Sequence, residues 1–171
     1  MKTLFHKTLP GFTLVEMMMS SIVAIIIIIF LTNFFLNALI SKQLYMARQD
    51  LNYNMDFAIQ MMSYQIKKAT SIDTGNSVFS VHPGQLVFSN ANLSESPLTF
   101  SSNGTTLTFE RGLSESYSLL TPQNQVTDLT FDYQTPNNST GIVSGSITME
   151  SLVDPDISAT ETFSISLRTN L

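Results

Sequence analysis

The chain of 171 residues contains no cysteine, and it is poor in charged side chains. The absence of cysteine excludes disulfide bonds and thiolate metal sites, and it leaves the redox compartment undetermined. Charged residues make up 12% of the chain, which is about half their share in average soluble domains. From Ser71 onward there are ten acidic side chains but only two basic ones, Arg111 and Arg168, a net charge of −8. Such a surface repels phosphates, so we expect no direct binding of nucleic acid.

Charged residues are also missing from Met17 to Ser41, and proline and glycine are missing from Phe12 to Thr74. As a helix, the charge-free run of 25 residues would extend about 38 Å, enough to cross a bilayer core of about 30 Å. A cleaved secretory signal peptide fits less well, because its apolar region would be shorter and would precede a small-residue cleavage site. An ordinary membrane anchor is the alternative that composition leaves open.

Apolar residues recur after this run at steps of three and four, which is the spacing of one face of an α-helix. They are Leu44, Ala47, Leu51, Met55, Ala58, Met62, Ile66 and Ala69. Polar residues occupy the opposite face: Lys42, Arg48, Asp50, Asn52, Asp56, Gln60 and Lys67. The pattern predicts one helix from about Phe12 to about Thr70, membrane-spanning in residues 12–41 and amphipathic in residues 42–70. We expect the apolar stripe to pack on the chain's own C-terminal domain, or in part on a partner helix.

The period changes to two after residue 74, which is typical of β-strands. Leu98 and Phe100 are predicted to face Leu107 and Phe109 in a hairpin around an Asn103–Gly104 turn. Three further segments alternate, with these residues on an inner face: Leu129, Phe131 and Tyr133; Val143, Ile147 and Met149; Phe163, Ile165 and Leu167. Strands with one wet face indicate an antiparallel sheet covered on one side. The sequence therefore predicts an α+β fold, with the long N-terminal helix packed on an antiparallel β-sheet of residues 71–171.

The segment Gly11–Glu16, with the sequence GFTLVE, stands between a short basic leader and the apolar run. It resembles the cleavage and methylation signal of type IV pilins and pseudopilins. The resemblance implies that a prepilin peptidase cuts after Gly11, so that residues 1–11 are a cleaved leader peptide. It also implies that the new N-terminal residue, Phe12, becomes N-methylated. Glu16 then stands at the fifth position of the mature chain, where this family places a glutamate.

A carboxylate at the mouth of a membrane span is costly unless it has a partner. In filaments of this family the glutamate is thought to face the N-terminal amine of a neighbouring subunit, so the resemblance implies that Glu16 sets the register of assembly. The alternative is that Glu16 lies near the membrane interface and reaches water. Lys2 and Lys7 fit the positive-inside rule with the leader in the cytoplasm and the C-terminal domain outside. Because Lys42 and Arg48 lie beyond the span, this charge bias is weak, and the cleavage signal indicates the orientation better.

Three later segments resemble the minor pilins and pseudopilins of the PilW/PulJ type. They are Arg48–Ala69 of the predicted helix, Val126–Tyr133, and the ending FSISLRTNL. The absence of cysteine departs from the disulfide-closed loop of many major pilins, and no proline interrupts the N-terminal helix. The unbroken helix is compatible with a minor subunit at the tip of a filament.

Few residues suggest chemistry. His82 is the only histidine outside the leader, and we interpret it as an exposed turn residue, because no motif around any serine resembles a nucleophile elbow. Glu150, Asp154 and Asp156 could supply oxygen ligands to Ca²⁺, but solvated loop charges are the preferred interpretation. We therefore expect neither enzymatic activity nor a cofactor.

The sequence as a whole predicts a minor subunit of a type IV pilus, or of a type II secretion-like pseudopilus, that helps to start assembly. Its expected partners are prepilin peptidase, other pilins through the N-terminal helix, the assembly platform, and the lipid bilayer of the cytoplasmic membrane. Adhesion or motility, type II secretion and DNA uptake all remain open as the task of the machine. The alternative from another class is a binding module on a single-pass anchor that is never cut.

Overall fold

The computed structural model describes residues 11–91, 95–112, 115–136 and 140–167. Within them the chain forms one helix, α1 (Leu14–Lys67), followed by eight strands. The strands are β1 (Ala69–Ile72), β2 (Gln85–Asn90), β3 (Leu98–Ser102), β4 (Leu107–Arg111), β5 (Glu115–Ser118), β6 (Asn124–Gln134), β7 (Ile142–Ser151) and β8 (Ser158–Ser166). The chain divides into two compact units, Met1–Gln43 and Leu44–Leu171. Residues 1–10 of the predicted leader lie outside the described residues.

Helix α1 begins at Leu14, two residues later than predicted, because Thr13 caps its N-terminus. Thr13 Oγ1 accepts a hydrogen bond from the backbone N–H of Glu16 at 3.3 Å. The carbonyl oxygen of Thr13 accepts a bond from the N–H of Met17 at 3.2 Å. The first bond satisfies an N–H group that the first helical turn leaves without an intrahelical partner, and the second is the first regular bond of the helix. The cap therefore leaves Phe12 outside the helix.

The part of α1 in the first unit exposes its side chains on every face. An 18-residue window of α1 reaches a mean hydropathy of 2.7 with none of its residues buried, so by length and composition the helix could cross a membrane. The hydroxyl groups of Ser21 and Thr32 donate to the carbonyl oxygens of Met17 and Ile28, each at 2.8 Å. These hydroxyls thus have partners inside the helix, as an apolar surrounding requires.

The predicted apolar stripe of α1 is buried in the second unit. Its buried members within the helix are Ala47, Leu51, Met55, Ala58, Met62 and Ile66. They form one hydrophobic core with inward-facing residues of the β-strands, and Leu44 packs against its margin. The predicted α+β architecture, a long N-terminal helix packed on antiparallel β-structure, is therefore confirmed.

Helix α1 ends at Lys67, three residues earlier than predicted, because the next residues join a sheet. Ala69 pairs with β2 in antiparallel register. Thr70 Oγ1 donates a hydrogen bond to the carbonyl oxygen of Ser89 at 3.1 Å. The amphipathic segment predicted for residues 42–70 is thus helical only as far as Lys67, and its end forms β1.

The strands form two antiparallel sheets where the sequence predicted one. The larger sheet has the strand order β1-β2-β3-β4-β5, and the smaller sheet has the order β6-β7-β8. The division follows Leu119 and Leu120, which are adjacent in sequence and both buried. Leu119 still donates its N–H to the carbonyl oxygen of Leu107 on β4, and a turn closed by the N–H of Asn124 and the carbonyl oxygen of Thr121 then leads the chain into the second sheet. Residues of both sheets contribute to the same hydrophobic core.

The predicted hairpin is confirmed, with its turn shifted by one residue. Phe100 lies opposite Phe109, and the centroids of their rings are 4.8 Å apart. The turn spans Asn103–Thr106, since the N–H of Asn103 donates to the carbonyl oxygen of Thr106 at 3.3 Å. Gly104 has a φ of 89°, a conformation that glycine adopts without steric cost.

The inner faces predicted for β6, β7 and β8 are also confirmed. Their buried residues are Leu129, Phe131, Val143, Ile147, Met149, Phe163 and Ile165, with Leu167 directly after β8. Gly145 occupies the inner-face position of β7 opposite Phe131 on one side and Phe163 on the other. The two aromatic rings meet edge to face with their centroids 6.0 Å apart, in the space that the missing side chain leaves.

Candidate processing and assembly site

The predicted cleavage junction, Gly11–Phe12, lies in non-helical backbone directly before the capping residue of α1. Phe12 exposes 77% of its surface. A Cβ atom added to Gly11 would meet nothing within 4 Å. The described residues therefore leave this peptide bond accessible to an enzyme. Because local packing does not require glycine here, any need for Gly11 would come from the enzyme that binds it.

Glu16 lies in the first turn of α1, at the third helical position. Partial positive charge at a helix N-terminus favours a carboxylate there. Thr13 and Glu16 have the T-x-x-E spacing of a capping box, a signal in the sequence that the predictions above did not use. Among the described residues, no cation lies within 4.0 Å of the Glu16 carboxylate. The helix start thus gives this residue a local role, and its charge has no described counter-ion.

Comparisons of the chain with protein-family models, with curated proteins and with solved structures find no match. The arguments for function therefore rest on the residues and geometry of this chain. The membrane interpretation rests on the length and composition of α1. The processing interpretation rests on the segment Gly11–Glu16 and on its position before the helix.

A buried polar network joins α1 to the start of β6. Thr121 Oγ1 and Asn124 Nδ2 donate to Asp50 Oδ2 at 2.9 and 2.7 Å. Asn54 Oδ1 accepts the backbone N–H of Thr121 at 2.9 Å, and Asn54 is only 3% exposed. Asp50, predicted on the solvent face, is instead half-buried because partners 71 and 74 residues later surround it. These hydrogen bonds fix this turn of the helix on the head (strands β1–β8). Within the described residues, Asn124 Oδ1 is buried without a hydrogen-bond partner.

Replacing Asn54 with alanine is expected to lower the free energy of unfolding by about 1–3 kcal/mol, because the N–H of Thr121 would lose its acceptor. Chemical denaturation of the full chain in detergent measures this loss. Asn52→Ala, on the exposed face of the same helix, is the matched control and should change stability by less than about 0.5 kcal/mol. Equal effects of the two substitutions would show that the network does not stabilise the fold.

His82 differs from the exposed turn residue that the sequence predicts. Its side chain is 30% exposed, and its Nδ1 accepts the backbone N–H of Leu129 at 2.9 Å. Asp128 Oδ1 lies 3.6 Å from the same nitrogen. Because Nδ1 already accepts a backbone hydrogen bond, this nitrogen is not available to take a proton from a substrate. His82 therefore supports the edge of β6.

Two of the three carboxylates considered for Ca²⁺, those of Glu150 and Asp154, accept separate hydrogen bonds. Glu150 Oε1 accepts a bond from the side-chain amide of Gln125. Asp154 Oδ1 accepts the backbone N–H of Asp156 at 3.1 Å. Within the described ranges, no group of three or more histidine or acidic side chains comes together as a metal site. Glu150 thus belongs to the face of β7, while Asp154 and Asp156 shape the turn between β7 and β8.

Two other ionisable groups have shifted pKa values, and both shifts have local causes. Hydrogen bonds from Asn76, its side-chain amide first, hold the pKa of the Asp73 carboxyl below its usual value. The hydroxyl of Tyr117 donates to Glu115 at 2.9 Å, and this bond raises the pKa of Tyr117. Both groups are exposed, so these shifts describe a loop and an edge strand rather than an active site.

Proposed function

We propose that this chain is a minor pilin or pseudopilin of the PilW/PulJ type. In this proposal a prepilin peptidase cuts it after Gly11 and Phe12 is N-methylated. An assembly platform then inserts it at or near the tip of a type IV pilus or a type II secretion-like pseudopilus. The observation that carries the proposal is the segment Gly11–Glu16, whose exposed, non-helical junction directly precedes a helix with an apolar, unburied surface.

The charge of Glu16 supports an assembly role in this proposal. Cutting after Gly11 creates a cationic amine on Phe12, four residues before the carboxylate. In an apolar helix bundle, a carboxylate without a partner costs free energy, while one beside a cation is tolerated. The amine of a neighbouring subunit would supply that cation. A subunit added out of register would leave Glu16 unpaired, so the pair would select the correct register.

The proposal places the chain in the cytoplasmic membrane before assembly, with a single span and with the head outside. The helix length and composition support a span, and Lys2 and Lys7 support a cytoplasmic leader. The exposed side chains of α1 in the first unit would contact lipid first and the helices of other pilins later. The proposal assigns no reaction to the head.

The N-terminal peptide, measured by mass spectrometry, tests the proposal. The full chain is expressed with an active prepilin peptidase, and with a catalytically inactive one as the control. We expect a peptide that begins with N-methylated Phe12 only with the active enzyme. A chain that still begins at Met1 beside an active peptidase would contradict the proposal.

A binding module on an uncut single-pass anchor is the second candidate. The observation that favours it is the capping box, because the bond between Thr13 Oγ1 and the Glu16 amide accounts for this sequence without any filament. The same mass measurement separates the two candidates, since an anchor would retain its leader.

A further inference from the structure

The edges of the two sheets differ in how well they are protected. A free strand edge presents unpaired N–H and C=O groups that another strand can pair with, so natural edges are short, bulged, charged or covered. Strand β1 has four residues and contains a register shift. Strand β5 also has only four residues. These two edges of the larger sheet therefore present few backbone groups with which an additional strand could pair.

The β6 edge of the smaller sheet is covered. The carbonyl oxygen of Leu129 accepts the N–H of Gly84 at 2.9 Å, and the N–H of Val126 donates to the carbonyl oxygen of Thr105 at 2.8 Å. Nδ1 of His82 accepts a hydrogen bond from the backbone N–H of Leu129. Backbone groups on this side of β6 therefore already have partners.

The β8 edge is long, regular and open. Strand β8 has nine residues, pairs with β7 without a register shift, and contains no proline, lysine or arginine, with Glu161 as its single charged residue. The N–H of Leu167 donates to Gly141 on the β7 side, so by alternation the N–H groups of Thr160, Thr162 and Ser164 point away from β7. Within the ranges that the structure describes, no hydrogen bond reaches β8 from that side.

A groove with a basic rim lies at the end of this edge. It has a volume of about 410 Å³ and is lined by Tyr64, Lys67, Lys68, Ser166 and Leu167. The ammonium group of Lys68 lies 3.9 Å above the ring centroid of Tyr64 and also contacts its hydroxyl. No described carboxylate lies within 4.0 Å of either lysine. The groove therefore combines an apolar floor with two cations that have no described counter-ion.

The opposite end of β8 carries the other sign of charge. Asp154 and Asp156 stand in the turn directly before Ser158, and no basic residue occurs from Gly112 to Leu167. An extended segment that pairs with β8 would therefore meet cations at the Ser166 end and anions at the Ser158 end. Charge complementarity then places the acidic residues of the segment at the Ser166 end of β8.

We propose that the β8 edge binds an extended segment of a partner protein by strand addition. The segment runs antiparallel to β8, the more frequent strand pairing, and carries acidic residues near its N-terminal end. Main-chain hydrogen bonds to β8 hold it, as in other cases of strand addition. Its acidic residues lie beside Lys67 and Lys68. This inference does not depend on the processing or assembly of the chain.

Two peptides of identical composition test the proposal. One is N-acetyl-Glu-Glu-Thr-Val-Thr-Val-Thr-amide, and the other has the two glutamates at its C-terminal end. Binding to the full chain in detergent micelles is measured by fluorescence anisotropy of labelled peptides. We expect the first peptide to bind about tenfold more tightly, a difference of about 1.4 kcal/mol, because the reversed peptide places its glutamates beside Asp154 and Asp156.

Three variants make the test specific. Thr162→Pro removes an N–H group that faces the open edge, a position where proline is tolerated in a strand. It should abolish peptide binding and leave the melting temperature of the chain unchanged. Ser116→Pro, at the outward position of the β5 edge, is the matched control and should bind normally. The double substitution Lys67→Glu with Lys68→Glu should weaken the binding of both peptides and remove the preference between them, because both ends of the edge would then be anionic.

Several outcomes would overturn the proposal. Equal affinity for the two peptides, or normal binding by Thr162→Pro, would show that the β8 edge is not the site. The chain lacks cysteine, so Thr162→Cys gives a clean crosslinking site. A disulfide-linked homodimer of this variant, formed without peptide, would show that a second copy covers the edge instead of a partner segment.

Discussion

A chain carrying Glu16→Gln is expected to be cut and methylated normally but to be missing from filaments. Glutamine can replace glutamate in a capping box, so the start of α1 should keep its geometry. What the substitution removes is the negative charge, and with it the pair with the N-terminal amine of a neighbouring subunit. The measurement is the amount of the subunit in sheared filaments relative to the amount in the membrane.

The capping residue provides the matched control for this prediction. Thr13→Ala removes the hydroxyl that accepts the Glu16 amide and should cost about 1 kcal/mol of helix stability, yet it leaves the carboxylate in place. We expect this variant to enter filaments. If Thr13→Ala were excluded as well as Glu16→Gln, the shape of the helix start would also be needed for assembly. If both were incorporated, Glu16 would have no role in register.

The two possible roles of Glu16 act on different states of the chain. The capping box and the helix dipole act within one subunit, whether it is alone or assembled. The proposed pair with an amine would form only between subunits, and only after removal of the leader. Glu16→Gln keeps the helix cap and removes the proposed pair between subunits, so it measures what that pair contributes to assembly.

The elements with strong periodicity were predictable from sequence. The stripe from Ala47 to Ile66 repeats at helical spacing, and its members are buried. Alternation in β6, β7 and β8 identified their inner faces because a strand with one wet face repeats every two residues. In both cases the spacing of apolar residues shows which side of the element faces the core.

The sequence pattern could not show contacts between residues far apart in the chain. Asp50 is charged and lies beside polar neighbours, so it was placed on the solvent face. Its half-buried state depends on Thr121 and Asn124, which only the folded chain brings near. The same limitation explains His82, whose ring accepts a hydrogen bond from β6. The helix boundaries differ from the predicted ones by two or three residues, because the Thr13 cap sets the start and the pairing of Ala69 with Asn90 sets the end.

Gly145→Ala is expected to destabilise the head by about 3 kcal/mol, at the upper end of the range for overpacked cores. A Cβ atom at this position would lie 2.2 Å from the carbonyl oxygen of Thr130 and 2.9 Å from Cζ of Phe163. The first of these contacts is with backbone, which cannot rotate away. The paired strands β6 and β7 would have to separate locally, and the ring of Phe163 would have to move from its edge contact with Phe131.

Chemical denaturation of the full chain in detergent measures this effect, and the neighbouring residue Ser144 supplies the control. Ser144 lies on the outer face of β7, so Ser144→Ala should change the free energy of unfolding by less than about 0.5 kcal/mol. A small effect of Gly145→Ala would mean that β6 and β7 separate easily at this pair, and that the aromatic contact between Phe131 and Phe163 adds little to the core. A large effect would show that the glycine is needed for the close approach of strand and ring, a requirement that its place in the alternating pattern of β7 does not reveal.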